Sequence, residues 1–118
     1  MKVLVADNDA QVQLLLSELL EELHDEVIVC GDGHEAVLHC LREHPDLVLM
    51  DLHMPRMNGI NATRHIMTAY PHMPVLVVTQ YNDADLRRQA LAAGAQGVYL
   101  KDDLLMLQRH LRRLHENQ

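Results

Sequence analysis

The sequence predicts an α/β fold: a doubly wound sheet of five parallel strands in the order 2-1-3-4-5. The first observation behind this is an alternation. Aliphatic runs at 3–6 (VLVA), 26–30 (EVIVC), 47–51 (LVLMD), 74–79 (PVLVVT) and 97–101 (GVYLK) are separated by segments of helical periodicity. The second is that these runs are mostly continuous, as expected of strands covered on both faces in a parallel sheet. The third is length. Each intervening segment can make a right-handed crossover, whereas 118 residues fit one domain, expected to span 1–118, and not a closed barrel of eight units.

The helices follow in order. Residues 10–23 set Val12, Leu15, Leu16, Leu19 and Leu23 on one stripe, with Glu18, Glu21 and Glu22 elsewhere. Residues 33–44 carry Ala36, Val37, Cys40 and Leu41 until Pro45 stops them. Residues 59–70 carry Ile60, Ile66 and Met67, with Pro71 after them. Residues 83–93 run from the capping pair Asn82-Asp83 to Gly94, a natural C-terminal stop. Residues 103–115 carry Leu104, Leu107, Leu111 and Leu114.

Composition narrows the function. Hydrophobic residues make up 48% with no Trp or Phe, so the core is aliphatic. A net charge of −7 argues against nucleic acid as a direct partner, which needs a basic footprint. The basic run RHLRRLH at 109–115 reads as a solvated helix face near a C-terminus, where positive charge suits the helix dipole. Cys30 and Cys40 lie in apolar stretches without a CxxC spacing and read as free buried thiols. The opening MKVLVAD is no leader peptide, and no stretch is long enough to span a membrane, so a cytoplasmic location is expected. The nine histidines show no zinc spacing and read as scattered surface residues; the seven methionines read as core filler.

In open α/β sheets, ligands bind beyond the carboxyl ends of the strands, where the strand order reverses. The strand ends carry Asp7-Asn8-Asp9, Cys30-Gly31, Asp51, Thr79 and Lys101. The predicted order places the acidic cluster beside Asp51, with Thr79 and Lys101 next. Crowded carboxylates repel and raise one another's pKa. A hard divalent cation such as Mg²⁺ relieves that conflict through oxygen ligands. One carboxylate can then act as a nucleophile toward phosphorus, and Asp51, the lone acid at a central strand end, is the candidate. The Lys101 ammonium and the Thr79 hydroxyl can meet the phosphoryl oxygens. Asp51 could instead cap a turn, and Lys101 alone would read as a solvated lysine; the constellation favours chemistry over both.

VLVADND, LVLMDLHMPRMNG, VLVVT and ALAAGAQGVYLK, in this order and spacing, resemble the receiver domain of two-component response regulators over the whole chain. The resemblance implies a flavodoxin-like fold and a phosphoacceptor switch, with Asp51 accepting a phosphoryl group from a sensor histidine kinase or a phosphotransfer protein. It implies Mg²⁺ held by Asp7, the residue at position 8, Asp51 and the backbone carbonyl of His53. It further implies an output protein or domain as partner, and allows a homodimer linked to phosphorylation. Such a domain assists its own phosphorylation without being an enzyme in its own right.

The sequence departs from the pattern in places. Asn8 stands where a second acid is usual, which predicts weaker Mg²⁺ binding. The switch aromatic usual three residues before the lysine is replaced by Val98. The neighbouring Tyr99 points to the opposite face by strand alternation, so coupling through Thr79 is in doubt. Gln80 stands where a small residue is common. Asp102 after Lys101, in the context GAQGVYLKD, resembles receivers of the nitrate-response type. Two alternatives stay open: a degenerate receiver that only binds proteins, and a small aspartyl-phosphate phosphohydrolase. The latter usually has a second Asp two places after the nucleophile, where this chain has His53.

Overall fold

A computed structural model of the chain describes residues 1–117. The elements are β1 (Lys2–Ala6), α1 (Ala10–Glu22), β2 (Glu26–Cys30), α2 (Gly33–Glu43), β3 (Leu47–Met50), α3 (Gly59–Ala69), β4 (Val75–Thr79), α4 (Ala84–Ala93), β5 (Gly97–Leu100) and α5 (Leu104–Glu116). All strand pairings are parallel, and the sheet order is β2-β1-β3-β4-β5, as predicted.

Local chemistry sets the helix ends. Asp9, Asp32, Asn58 and Asp83 each accept backbone N–H groups of the following first turn, satisfying donors that have no partner inside the helix. At the other end His44 is left-handed (φ 47°) before Pro45, and Gly94 (φ 116°) closes α4.

Strand alternation divides the core between the two faces of the sheet. Val3, Val5, Leu47 and Leu49 pack with Leu16 and Leu20 of α1 and Leu107 and Leu111 of α5. Leu4, Ala6, Val48 and Met50 pack with Ala36 and Cys40 of α2 and Ala62 and Ile66 of α3. Both cysteines are free and buried. Burial pushes the Cys30 thiol up to about 12 and the Cys40 thiol up to about 11, which makes them inert.

Three expectations are corrected. The buried stripe of α1 is centred on Leu16 and Leu20, which leaves Leu15 49% exposed; Leu41 of α2 is likewise 47% exposed. Each helix lies across its own face of the sheet, α1 on one and α2 on the other, so only the residues turned toward the strands are covered. The outer strands β2 and β5 are only partly buried, because each has a single strand neighbour. The histidines of α5 are not merely surface groups. Tyr99 Oη bonds His110 Nδ1, and His115 Nε2 lies 3.0 Å from Oδ2 of the buried Asp25. Asp25 Oδ1 also pairs with the Met1 ammonium at 3.0 Å.

Register prepares the upper edge of the sheet. Ala6 pairs with Met50, so the residues that follow, Asp7 and Asp51, emerge side by side. Thr79 pairs with Leu100, so Lys101 emerges one step beyond Thr79. The ladder continues through Asp51 N–H to Ala6 O (2.9 Å) and Lys101 N–H to Thr79 O (2.8 Å).

Two glycines close the loop after β3 against its surroundings. A Cβ on Gly59 would lie 1.9 Å from Asp51 O, and one on Gly33 would lie 2.0 Å from Met57 O. Both obstacles are backbone, which cannot swing away. Gly59→Ala and Gly33→Ala should each lower the unfolding free energy in urea by about 2–3 kcal/mol. Gly31→Ala, whose new methyl meets nothing within 4 Å, should stay within about 0.5 kcal/mol of wild type. Coincident midpoints for the three variants would refute the close packing.

Candidate functional site

Two of the predicted strand-end residues, Asp7 and Asp51, converge on the ammonium of a third, Lys101. Lys101 Nζ lies 2.7 Å from Asp7 Oδ2 and 3.2 Å from Asp51 Oδ1. Asp7, Asp51 and Thr79 are all buried. Asp7 Oδ1 accepts the N–H of Asp9 (2.9 Å), and Asp51 Oδ1 accepts the N–H of Leu52 (2.9 Å).

Two carboxylates against one cation leave an excess negative charge in a desolvated place. Burial, then the charge of Asp7, pushes the Asp51 pKa up; Lys101 and the Leu52 N–H only partly offset this. Burial alone would lower the Lys101 pKa, but contact with Asp7 and Asp51 holds it above the usual lysine value. The ammonium therefore stays charged.

Asn8, Asp9, Asp51, His53, Gln80, Tyr81 and Lys101 line a cavity of about 110 Å³. Ligand pockets for drug-sized molecules run to roughly 300–1,000 Å³, so this one suits an ion and a small group rather than a metabolite. A larger hollow of about 380 Å³ beside β5 and α5 is lined by Arg87, Val98, Tyr99 and Asp103. It has no pair of converging carboxylates.

The remaining predicted residues divide. Asn8 and Asp9 are both exposed at the cavity wall, and Asp9 Oδ1 also caps α1 through Gln11 N–H (2.9 Å) and Val12 N–H (3.4 Å). Thr79 Oγ1 accepts the Tyr81 N–H (3.2 Å) and keeps its own proton to donate. Val98 packs with Leu52, Ile60 and Ala90 on the α4 side. Tyr99 packs on the α1–α5 side and reaches His110. The two stand on opposite faces, as alternation requires.

Among the described residues, no group of three or more His, Cys, Asp and Glu side chains is arranged to hold a metal. Asn8 brings no charge, Asp9 lends Oδ1 to the α1 cap, and Asp7 and Asp51 are the buried acids. The oxygens still suit a hard cation. Asp7 Oδ2 is buried and makes no well-directed hydrogen bond despite its closeness to Lys101. An acceptor left short of partners, beside a second carboxylate and neutral oxygen donors, is a donor set that Mg²⁺ accepts.

Sequence reasoning did not find two contacts at this site. The rings of His53 and Tyr81 meet edge to face with centroids 4.7 Å apart. Arg56, in the loop after Asp51, pairs with Asp32 before α2. Neither has a spacing signature, because each joins loops from different strands. The capping role of Asp9 could have been read from its place just before a helical stripe.

Comparison with known proteins identifies the family and the fold. The family described as "Response regulator receiver domain" matches residues 3–112. The chain is 48% identical over 86 residues to protein-glutamate methylesterase/protein-glutamine glutaminase 4 of Geobacter metallireducens, covering 71% of this chain and 24% of that protein. It is 38% identical over 104 residues to the transcriptional regulatory protein LnrK of Bacillus subtilis, covering 86% and 47%. The chain thus spans about half or less of the length of these curated relatives. Among solved structures, the BeF3-activated N-terminal receiver domain of Klebsiella pneumoniae RstA superposes with a TM-score of 0.90 at 26% identity, covering 100% of both chains. The CheX-CheY-BeF3-Mg²⁺ complex from Borrelia burgdorferi gives a TM-score of 0.88 at 25% identity, covering 97% of this chain and 89% of the other.

The charge imbalance has a measurable consequence. Because folding raises the Asp51 pKa, its contribution to stability is fully present below the unfolded-state value of about 3.9 and is lost as pH rises through the folded value. Asp51→Asn should therefore raise the thermal midpoint by about 3 °C or more at about pH 7, and the gain should shrink toward about pH 4. A lower midpoint for the variant at neutral pH would contradict the assignment.

Proposed function

The chain belongs to the response regulator receiver domain family, and on that premise we propose that it is a phosphoacceptor switch in which Asp51 takes a phosphoryl group. The observation that carries the reading is the Asp7–Lys101–Asp51 convergence at 2.7 and 3.2 Å. Asp51 Oδ1 is occupied by the Leu52 N–H and Lys101. That leaves the lone pairs of Oδ2 for phosphorus. As the new O–P bond forms, the bond from phosphorus to the donor's nitrogen or oxygen breaks, and that atom keeps the electron pair and takes a proton from solvent. Lys101 meets the charge on one phosphoryl oxygen, and the free proton of Thr79 Oγ1 can be donated to another.

Asp7, Asn8, Asp51 and the His53 carbonyl would hold Mg²⁺, which supplies charge neutralisation for the phosphoryl oxygens and the paired acids. The phosphoryl source would be a sensor histidine kinase or a phosphotransfer protein, in the cytoplasm. The new charge would shift a conformational equilibrium read by an output protein or domain, a regulator of transcription of the nitrate-response type being one candidate. With Val98 in place of an aromatic, that shift would depend less on a turning ring. The same Asn8 and Val98 favour a second reading, a receiver that binds partners without phosphotransfer. The phosphohydrolase reading has less support, since His53 stands in the place of the general acid.

Incubation with acetyl phosphate and Mg²⁺ should yield one adduct per chain, stable in acid and labile in base, and none in Asp51→Asn. No adduct on the wild type would favour the binding module, and rapid turnover with release of phosphate would favour the hydrolase. Asn8→Asp, by adding a charged oxygen ligand, should tighten Mg²⁺ binding about tenfold in a calorimetric titration. Equal affinity for both proteins would remove Asn8 from the ligand set.

A further inference from the structure

The loop from Leu52 to Asn58 carries the His53 carbonyl and is held from outside the site. Two nitrogens of Arg56 grip one oxygen of Asp32: Nε at 3.0 Å and Nη2 at 2.8 Å from Oδ2. Asp32 Oδ1 is meanwhile fixed by the Glu35 N–H at 2.7 Å, and Glu35 Oε1 lies 3.8 Å from Arg56 Nη2. Beside this pair, Gly33 N–H donates to Met57 O at 3.1 Å, in a contact too close for any Cβ. Arg56 itself is left-handed, with φ 63°, as are His24 and His44, a conformation that is uncommon for a residue with a side chain.

Stability does not account for this arrangement. The Arg56 side chain is 58% exposed, and ion pairs that open to water add little to folding. What two-point contact does supply is geometry. The loop is pinned at Gly59 against Asp51 O, at Met57 against Gly33, and at Arg56 against Asp32. The backbone between these points, with His53 in it, has little freedom left.

We infer that Arg56 is a positioning residue for the cation: its grip on Asp32 holds the loop in the shape that presents the His53 carbonyl beside Asp7 and Asp51. The inference rests on the proposed Mg²⁺ site and adds to it a control point on α2, a helix that supplies no ligand. Groups that orient metal ligands without touching the metal commonly change affinity by about 10- to 100-fold. For a half-exposed pair the smaller effect of about three- to tenfold is expected.

The test is a titration of the full chain with MgCl₂, followed by amide NMR shifts and with no phosphodonor present. Arg56→Ala and Asp32→Asn, the second of which keeps the α2 cap, should each weaken binding about three- to tenfold. The double variant should be no weaker than the weaker single variant. Simple Coulomb attraction predicts otherwise: losing the Arg56 charge would tighten Mg²⁺ binding and losing the Asp32 charge would loosen it. Unchanged or tighter binding by Arg56→Ala therefore overturns the inference. A wild type with no Mg²⁺-dependent shifts overturns it together with the cation site. A wild type that binds Mg²⁺ but takes no phosphoryl group from acetyl phosphate defeats the phosphoacceptor reading alone, and the role of Arg56 stands or falls on the titration.

Discussion

Two carboxylates share one ammonium at the upper edge of the sheet, and much of the molecule serves to keep them there. Asp7 and Asp51 are 1% and 5% exposed, so water cannot screen them, and Lys101 neutralises only one charge. A site left with excess negative charge in a desolvated place is poorly stable by itself and therefore receptive to whatever offsets that charge, a cation or a proton among them. The raised Asp51 pKa is the signature of that tension. A fully neutralised pair would fold more comfortably and have less reason to react.

The sheet enforces the tension through register. The Asp51 carboxylate cannot retreat from Asp7, because the backbone of Asp51 bonds to Ala6 O and a close-packed aliphatic layer lies beneath. Lys101 is delivered in the same way by the pairing of β4 and β5. Three strands thus supply one charge each, and none of these placements relies on a mobile loop. The loop after β3 is held differently, by glycines that let backbone approach backbone and by Arg56 gripping Asp32.

Much of the site was legible in the sequence because the residues that matter sit where an aliphatic run stops. VLVA ends at Asp7 and LVLM at Asp51, VLVVT ends on Thr79 itself, and GVYL ends at Lys101. A parallel sheet brings its carboxyl ends to one side, so listing the strand ends listed most of the chemistry. Helix stripes were less legible. Leu15 and Leu20 flank the centre of the stripe that periodicity predicts for α1, and only the seating of the helix on the sheet decided that Leu20 is covered and Leu15 is not. The histidines were the least legible. His115 meets Asp25 across 90 residues, and no periodicity connects them.

The sequence by itself determined the order of the elements, the cap and stop of α4, and which residues stand at the strand ends, because each depends on interactions among near neighbours: aliphatic periodicity, capping side chains and turn residues. Only the tertiary structure decided that Asp51 Oδ1 meets both the Leu52 N–H and Lys101, that Tyr81 rests on His53, and that Arg56 reaches Asp32. These contacts join loops from different strands. Their distances follow from the register and twist of the sheet and from how each helix settles on it, which local patterns do not encode.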